Sequence, residues 1–205
     1  MNDILWIFLD IGSTLIDESA CIKKRCDVII ENNGIDRDAF YKKVIEYAKT
    51  DSNAVKSAAS FFDAELPRWY TEYEKPYAKT ENVLKKLSKK YKLGIIANQI
   101  AGTAERLDNL GILKYFDIVV TSDEAGCAKP DPEIFKIALN QTGCTADRCV
   151  MIGDRLDNDI VPAKKIGMKT VWVRQGFAKY QSVTNESETP DFTVETIEET
   201  ADIFC

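Results

Sequence analysis

An α/β fold, a doubly wound parallel sheet carrying a small inserted all-helical subdomain, follows from three features of the chain. Short β-branched or aromatic runs recur along it, each bounded by turn residues. Amphipathic stretches of helix length separate those runs, and strand alternating with helix makes a parallel sheet covered on both faces. One long stretch near the N terminus breaks the alternation and carries helical periodicity alone.

The first strand is predicted at residues 5–9, an apolar run that stops on Asp10 and breaks at Gly12. Residues 93–97, 149–152 and 170–173 read as three more buried strands, and 118–121 as a fifth. Helices are predicted over 81–90, 103–110, 132–141 and 159–166, the third capped by Asp131 with Pro132 at its first position. Residues 18–74 form the helical insertion, in which Asn33-Gly34 ends one helix and Asp36 caps the next. Leu66-Pro67 and Lys75-Pro76 mark later breaks. The expected division is therefore an α/β core of residues 1–17 and 75–205 and a helical subdomain of residues 18–74. Residues 181–190 read as a polar surface loop, after which a short strand and a helix close the fold.

Composition narrows the chemistry. The 205 residues, 45% of them hydrophobic, suffice for one good core and a small subdomain. A net charge of -6 without a basic block gives nucleic acid or an anionic membrane nothing to bind. The apolar segment 4–9 is too short for a signal or membrane helix, and six cysteines without paired metal spacing fit a reduced cytoplasmic compartment. There is no histidine, so imidazole serves neither as base, nucleophile nor ligand. Carboxylates, lysines, hydroxyls or a metal must do the work.

Ligands of a doubly wound sheet sit beyond the carboxyl ends of its strands. Asp10 follows the first strand, Asn98 the second, Lys129 lies in a loop after 118–121, and Asp154 follows 149–152. Taken singly, each has an ordinary structural explanation as a turn, cap or helix-dipole residue. Together they form a chemical set. A carboxylate at that edge can attack phosphorus or carbon and form a covalent aspartyl intermediate. Mg²⁺ held by Asp10, a backbone carbonyl and Asp154 would neutralise a phosphoryl group, and Lys129 would add fixed positive charge.

In this chain order the motifs "FLDIGSTL", "GIIANQ", "KPDPEIF" and "MIGDRLDND" resemble those of the haloacid dehalogenase-like hydrolases, in the branch with a helical cap inserted after the first motif. The resemblance covers essentially the whole chain. It implies Asp10 as nucleophile, Lys129 as charge clamp, Asp154 as metal ligand and Asp159 as a supporting acid near the metal. Thr14 and Asn98 would shape the phosphoryl pocket. The activity implied is that of a magnesium-dependent phosphatase acting on a small phosphorylated metabolite or an activated phosphate, through an aspartyl-phosphate at Asp10.

Two departures qualify that expectation. Phosphatases of the family usually carry a second aspartate two residues after the nucleophile, where it protonates the departing alcohol and then activates water. Here that position is Gly12, which keeps a backbone carbonyl for the metal and has no proton to exchange. Such assistance is worth about 10²- to 10⁴-fold, so alkyl monoesters should turn over slowly unless another group substitutes. Ala97 stands where a serine or threonine hydroxyl normally meets the phosphoryl group. A catalytically weak protein that binds a metabolite or partner is therefore the alternative reading. A dehalogenase, with Arg25 as halide-binding cation, or a phosphonatase-like hydrolase using Lys23 or Lys24, is the third. The aromatic residues Phe61, Phe62, Trp69, Tyr70 and Tyr73 are candidates for pocket lining or for the subdomain's own packing.

Overall fold

The computed structural model describes residues 3–50 and 53–205. In chain order the elements are β1 (Trp6–Leu9), β2 (Ile16–Asp17), α1 (Ser19–Asn33), α2 (Arg37–Ala48), α3 (Ala54–Phe61), β3 (Lys75–Pro76), α4 (Thr80–Leu87) and β4 (Lys92–Ala97). Then come α5 (Thr103–Asn109), β5 (Ile118–Thr121), α6 (Ser122–Ala125), α7 (Pro132–Thr142), β6 (Cys149–Gly153), α8 (Val161–Lys165), β7 (Lys169–Val173), β8 (Phe192–Val194) and α9 (Thr200–Phe204). No helix among the described residues is long and apolar enough to cross a membrane.

Six strands form one parallel sheet in the order β5-β4-β1-β6-β7-β8. From β1 the chain winds outward through β4 and β5, then returns to β6 on the other side. The switch point thus falls at β1, where such sheets open a crevice beyond the strand ends. Alternate residues serve opposite faces, as the period of a strand requires. Ile7, Leu9, Leu93, Ile95, Val150 and Ile152 pack with Leu84 and Leu87 of α4 and Leu107 of α5. Phe8, Ile96 and Met151 pack on the other face with Ile134 and Phe135 of α7.

The five predicted core strands are present with ends shifted by a residue at most, and the closing strand and helix appear as β8 and α9. Gly34 ends α1 in the left-handed region at φ 62°, and the Asp36 carboxylate accepts from Ala39 N at the start of α2, as expected. Two differences have physical causes. The helix expected from 159 begins instead with a π-turn, Leu156–Ile160, and α8 follows with Pro162 in its first turn. Beyond α3 the helical periodicity does not continue: Asp63 takes φ 53° and Pro67 follows, so residues 62–70 are irregular.

Helices α1–α3 bury their own apolar cluster, with Cys26, Ile29, Phe40, Val44 and Ala58 at its centre. Phe177 and Tyr180, from the segment after β7, pack against it. The chain enters and leaves this helical unit through β2 and β3, which pair antiparallel, Ile16 against Pro76 and Asp17 against Lys75. The six cysteines are free thiols.

Gly94 sits opposite Phe8 in the ladder, and a Cβ added there would lie 2.7 Å from the Phe8 ring. Gly94→Ala should therefore destabilise the fold by about 1–3 kcal/mol, read as a lower urea midpoint at unchanged slope. An unchanged or raised midpoint would show that the ring relaxes freely.

Candidate active site

Strand β1 carries its pairing one residue past its end, because Asp10 N donates to Ile152 O at 2.9 Å. The backbone then turns sharply, with Leu15 N and Ile16 N both donating to Ile11 O at 2.9 and 3.0 Å. Ser13 holds φ 54°, a left-handed conformation that costs a non-glycine residue of the order of 1–3 kcal/mol. Gln175 braces the turn: its amide donates to Ser13 O and Thr14 O at 3.3 and 3.4 Å and accepts from Ile197 N.

Lys129 reaches this turn from the loop between α6 and α7. Its Nζ donates to Asp10 Oδ1 at 2.6 Å, Asp159 Oδ1 at 2.6 Å and Ile96 O at 2.9 Å, so all three ammonium protons have acceptors. Asn98 fixes the lysine's backbone rather than capping a helix. Its Oδ1 accepts from Lys129 N at 2.7 Å and its Nδ2 donates to Lys129 O at 2.8 Å. Burial pulls the Lys129 pKa down, but Asp10 and Asp159 more than reverse it and hold the ammonium charged.

Asp159 is fully buried and spoken for on both oxygens, since Oδ2 accepts from Arg155 N at 3.0 Å. The π-turn aims it inward, beneath Gly153, where a Cβ would lie 2.3 Å from the Asp159 carboxylate. Asp154 stands at the end of β6, its backbone oxygen accepting from Trp172 Nε1 at 2.8 Å. Carboxylate oxygens of Asp10, Asp154 and Asp159 all lie within 4.8 Å of one another. Burial, then the neighbouring carboxylates Asp10 and Asp159, push Asp154 well above the usual carboxylate range. Burial likewise lifts Asp159 to about 6, against the pull of Lys129. Asp157, by contrast, forms an exposed pair with Arg155.

These groups line a cavity of about 260 Å³ between the strand ends and the helical unit. Asp10, Gly12, Asn98, Lys129, Asp154 and Asp159 are on its wall, so six of the seven residues singled out above meet there. Thr14 is the exception. It is fully buried behind the wall, and among the described residues its hydroxyl has no hydrogen-bond partner. On the opposite wall Arg25 donates from Nε to Pro67 O at 2.7 Å and lies 5.3 Å from the centre of the Trp69 ring. Trp69 is the one of the five aromatic candidates that lines the cavity, and Phe62 packs instead on Phe40 within the helical unit. Lys23 is exposed and paired with Asp27, and neither it nor Lys24 is on the wall.

Sequence reasoning missed Glu18. Its Oε2 accepts from Ser13 Oγ at 3.2 Å, and it lines the same cavity. Burial first, then the charges of Asp10 and Glu74, raise its pKa to about 7. Its signal was hidden because no motif marks position 18; only the lack of a side chain at Gly12 points to it. Lys56 and Phe177 are further wall residues that the sequence does not single out.

Residues 7–173 match the family model of the haloacid dehalogenase-like hydrolases. A Pyrococcus furiosus protein named glyceraldehyde 3-phosphate phosphatase is 31% identical over 95% of this chain and 90% of its own length. A Methanocaldococcus jannaschii protein of the same name is 40% identical over 63% of this chain. The chain spans just over half of that relative's length, 56%. The crystal structure of a phosphatase from Thermococcus onnurineus superposes with a TM-score of 0.67 at 26% identity, covering 98% of this chain and 97% of that one.

A carboxyl with a higher pKa in the folded than in the unfolded state favours folding at low pH, and that contribution is lost as pH rises to the folded value. For Glu18 the window runs from 4.5 to about 7. In divalent-free buffer the unfolding free energy of the native protein should therefore fall across that window relative to Glu18→Gln, by at most about 3 kcal/mol. Parallel pH profiles in urea titrations would contradict it.

Proposed function

Because this chain belongs to the haloacid dehalogenase-like hydrolase family, we propose that it is a phosphatase that forms an aspartyl-phosphate on Asp10. One observation carries the reading: Lys129 pins Asp10 Oδ1 at 2.6 Å, while among the described residues Oδ2 has no hydrogen bond, on a side chain that lines the cavity. Oδ2 is then oriented to attack, and the buried ammonium is positioned to offset the negative charge that grows on the phosphoryl oxygens.

The donor set suits a hard divalent cation, since three carboxylates crowd within 4.8 Å against the single charge of Lys129. Asp10 and Asp154 would hold Mg²⁺, with Asp159 beside them, and the ion would supply charge neutralisation to the incoming phosphate. Asp159 acts through Lys129, and Asn98 by holding the lysine's backbone.

The helical unit serves as the cap that selects the rest of the substrate. A cavity of about 260 Å³ suits a small molecule. Relatives named for glyceraldehyde 3-phosphate make phosphomonoesters of three-carbon size the first to try. Arg25 and Trp69 would meet the part of the substrate remote from phosphorus.

Phosphate release from acetyl phosphate, p-nitrophenyl phosphate and a panel of small phosphorylated metabolites tests this directly. Magnesium should be required, and Asp10→Asn should lower every rate by roughly 10³-fold or more. Equal activity in Asp10→Asn would remove the mechanism.

A further inference from the structure

A Cβ built on Gly12 would lie 2.7 Å from Glu18 Oε1, 2.9 Å from Oε2 and 3.0 Å from Cδ. The carboxylate of Glu18 thus fills the room that a side chain at 12 would need. We propose that Glu18 is the proton-transfer residue of this site, acting through Oε1 in place of a side chain at position 12. The proposal rests on the phosphatase reading above.

Three observations support it. Ser13 Oγ engages Oε2, and among the described residues no hydrogen bond reaches Oε1, which leaves it for a reacting group. That hydroxyl is itself confined from behind, because a Cβ on Gly176 would come within 2.7 Å of Ser13 Oγ. The strained turn at Ser13 therefore holds a clamp on Glu18. Finally, the other acids on the cavity wall have tasks: Asp10 as nucleophile, Asp154 in the carboxylate cluster, and Asp159 bonded through both oxygens. With no histidine in the chain, Glu18 is the acid left to exchange a proton.

The chemistry balances with water as the sole co-reactant. As Asp10 Oδ2 bonds to phosphorus, the bond from phosphorus to the leaving oxygen breaks, and its electron pair stays on that oxygen. The leaving oxygen takes the proton from Glu18 and departs as the alcohol. Glu18, now a carboxylate, removes a proton from water while the water oxygen bonds to phosphorus. The bond from phosphorus to Asp10 Oδ2 breaks, which restores the Asp10 carboxylate, the protonated Glu18 and free inorganic phosphate.

Glu18→Gln keeps the shape and can still accept from Ser13, so it separates proton transfer from bracing. With glycerol phosphate its turnover should fall roughly 10²- to 10⁴-fold. With p-nitrophenyl phosphate it should release one equivalent of nitrophenolate per enzyme in a burst and then proceed slowly, because water attack lacks its base. As a second line, Gly12→Asp should restore glycerol phosphate turnover at least tenfold in Glu18→Ala, where room exists, and give no gain in the native protein. Wild-type rates in Glu18→Gln would overturn the proposal. So would slow turnover without a burst combined with no rescue by Gly12→Asp, the pattern of a purely structural residue. A native protein that releases phosphate from neither substrate would instead sink the phosphatase reading itself, and this inference with it.

Discussion

The ammonium of Lys129 directs its three protons to Asp10, Asp159 and the carbonyl of Ile96, and so ties three chain segments together at one rim of the sheet. Taking a lysine and two carboxylates out of water is expensive, and a buried ion pair repays that only with good geometry and satisfied donors. Here the geometry is over-determined. Asn98 clamps the lysine's backbone from both sides, Gly153 leaves space for Asp159, and the π-turn delivers it. Three carboxylates crowd against one ammonium in the cluster, an arrangement poor for stability and suited to a divalent cation.

A second constraint runs through the turn after β1. Gly12, Ser13 and Glu18 make sense together and not separately: the first gives room, the second takes an unfavourable backbone angle, and the third fills the room with a carboxylate. Strain of this kind persists where surrounding contacts enforce it, and here Gln175 and Gly176 do so from the segment after β7. The same segment lays Phe177 and Tyr180 on the helical unit, so the turn, the cavity wall and the helices share one support.

Much of this was legible in the amino-acid order. Buried parallel strands read as continuous β-branched runs, and the polar residues directly after them are easy to place at the site; Asp10 and Asp154 are found that way. Lys129 is legible only through its motif, since it lies in a loop with no periodicity. Thr14 lies behind the wall because the turn folds its hydroxyl inward, a placement that spacing along the chain does not show. Glu18 was invisible because its meaning depends on a distance across a turn, not on spacing along the chain. The π-turn escaped for a similar reason: its sequence suits an ordinary helix, and only the need to bury Asp159 distinguishes it. Arg25 reads in sequence as one of several basic residues on α1; its place on the wall is set by Pro67 and Trp69, from a segment without regular structure.

On the proposed reading, the Lys129 clamp presents one oxygen of Asp10, and no other side chain, to phosphorus. Peptide mass spectrometry after acid quenching of the protein with acetyl phosphate and magnesium identifies the residue that takes the phosphoryl group. The expected result is a single phosphoryl group on the peptide that contains Asp10, lost on alkaline hydroxylamine treatment as an acyl phosphate should be. A phosphoryl group on any other residue would exclude Asp10 as the nucleophile.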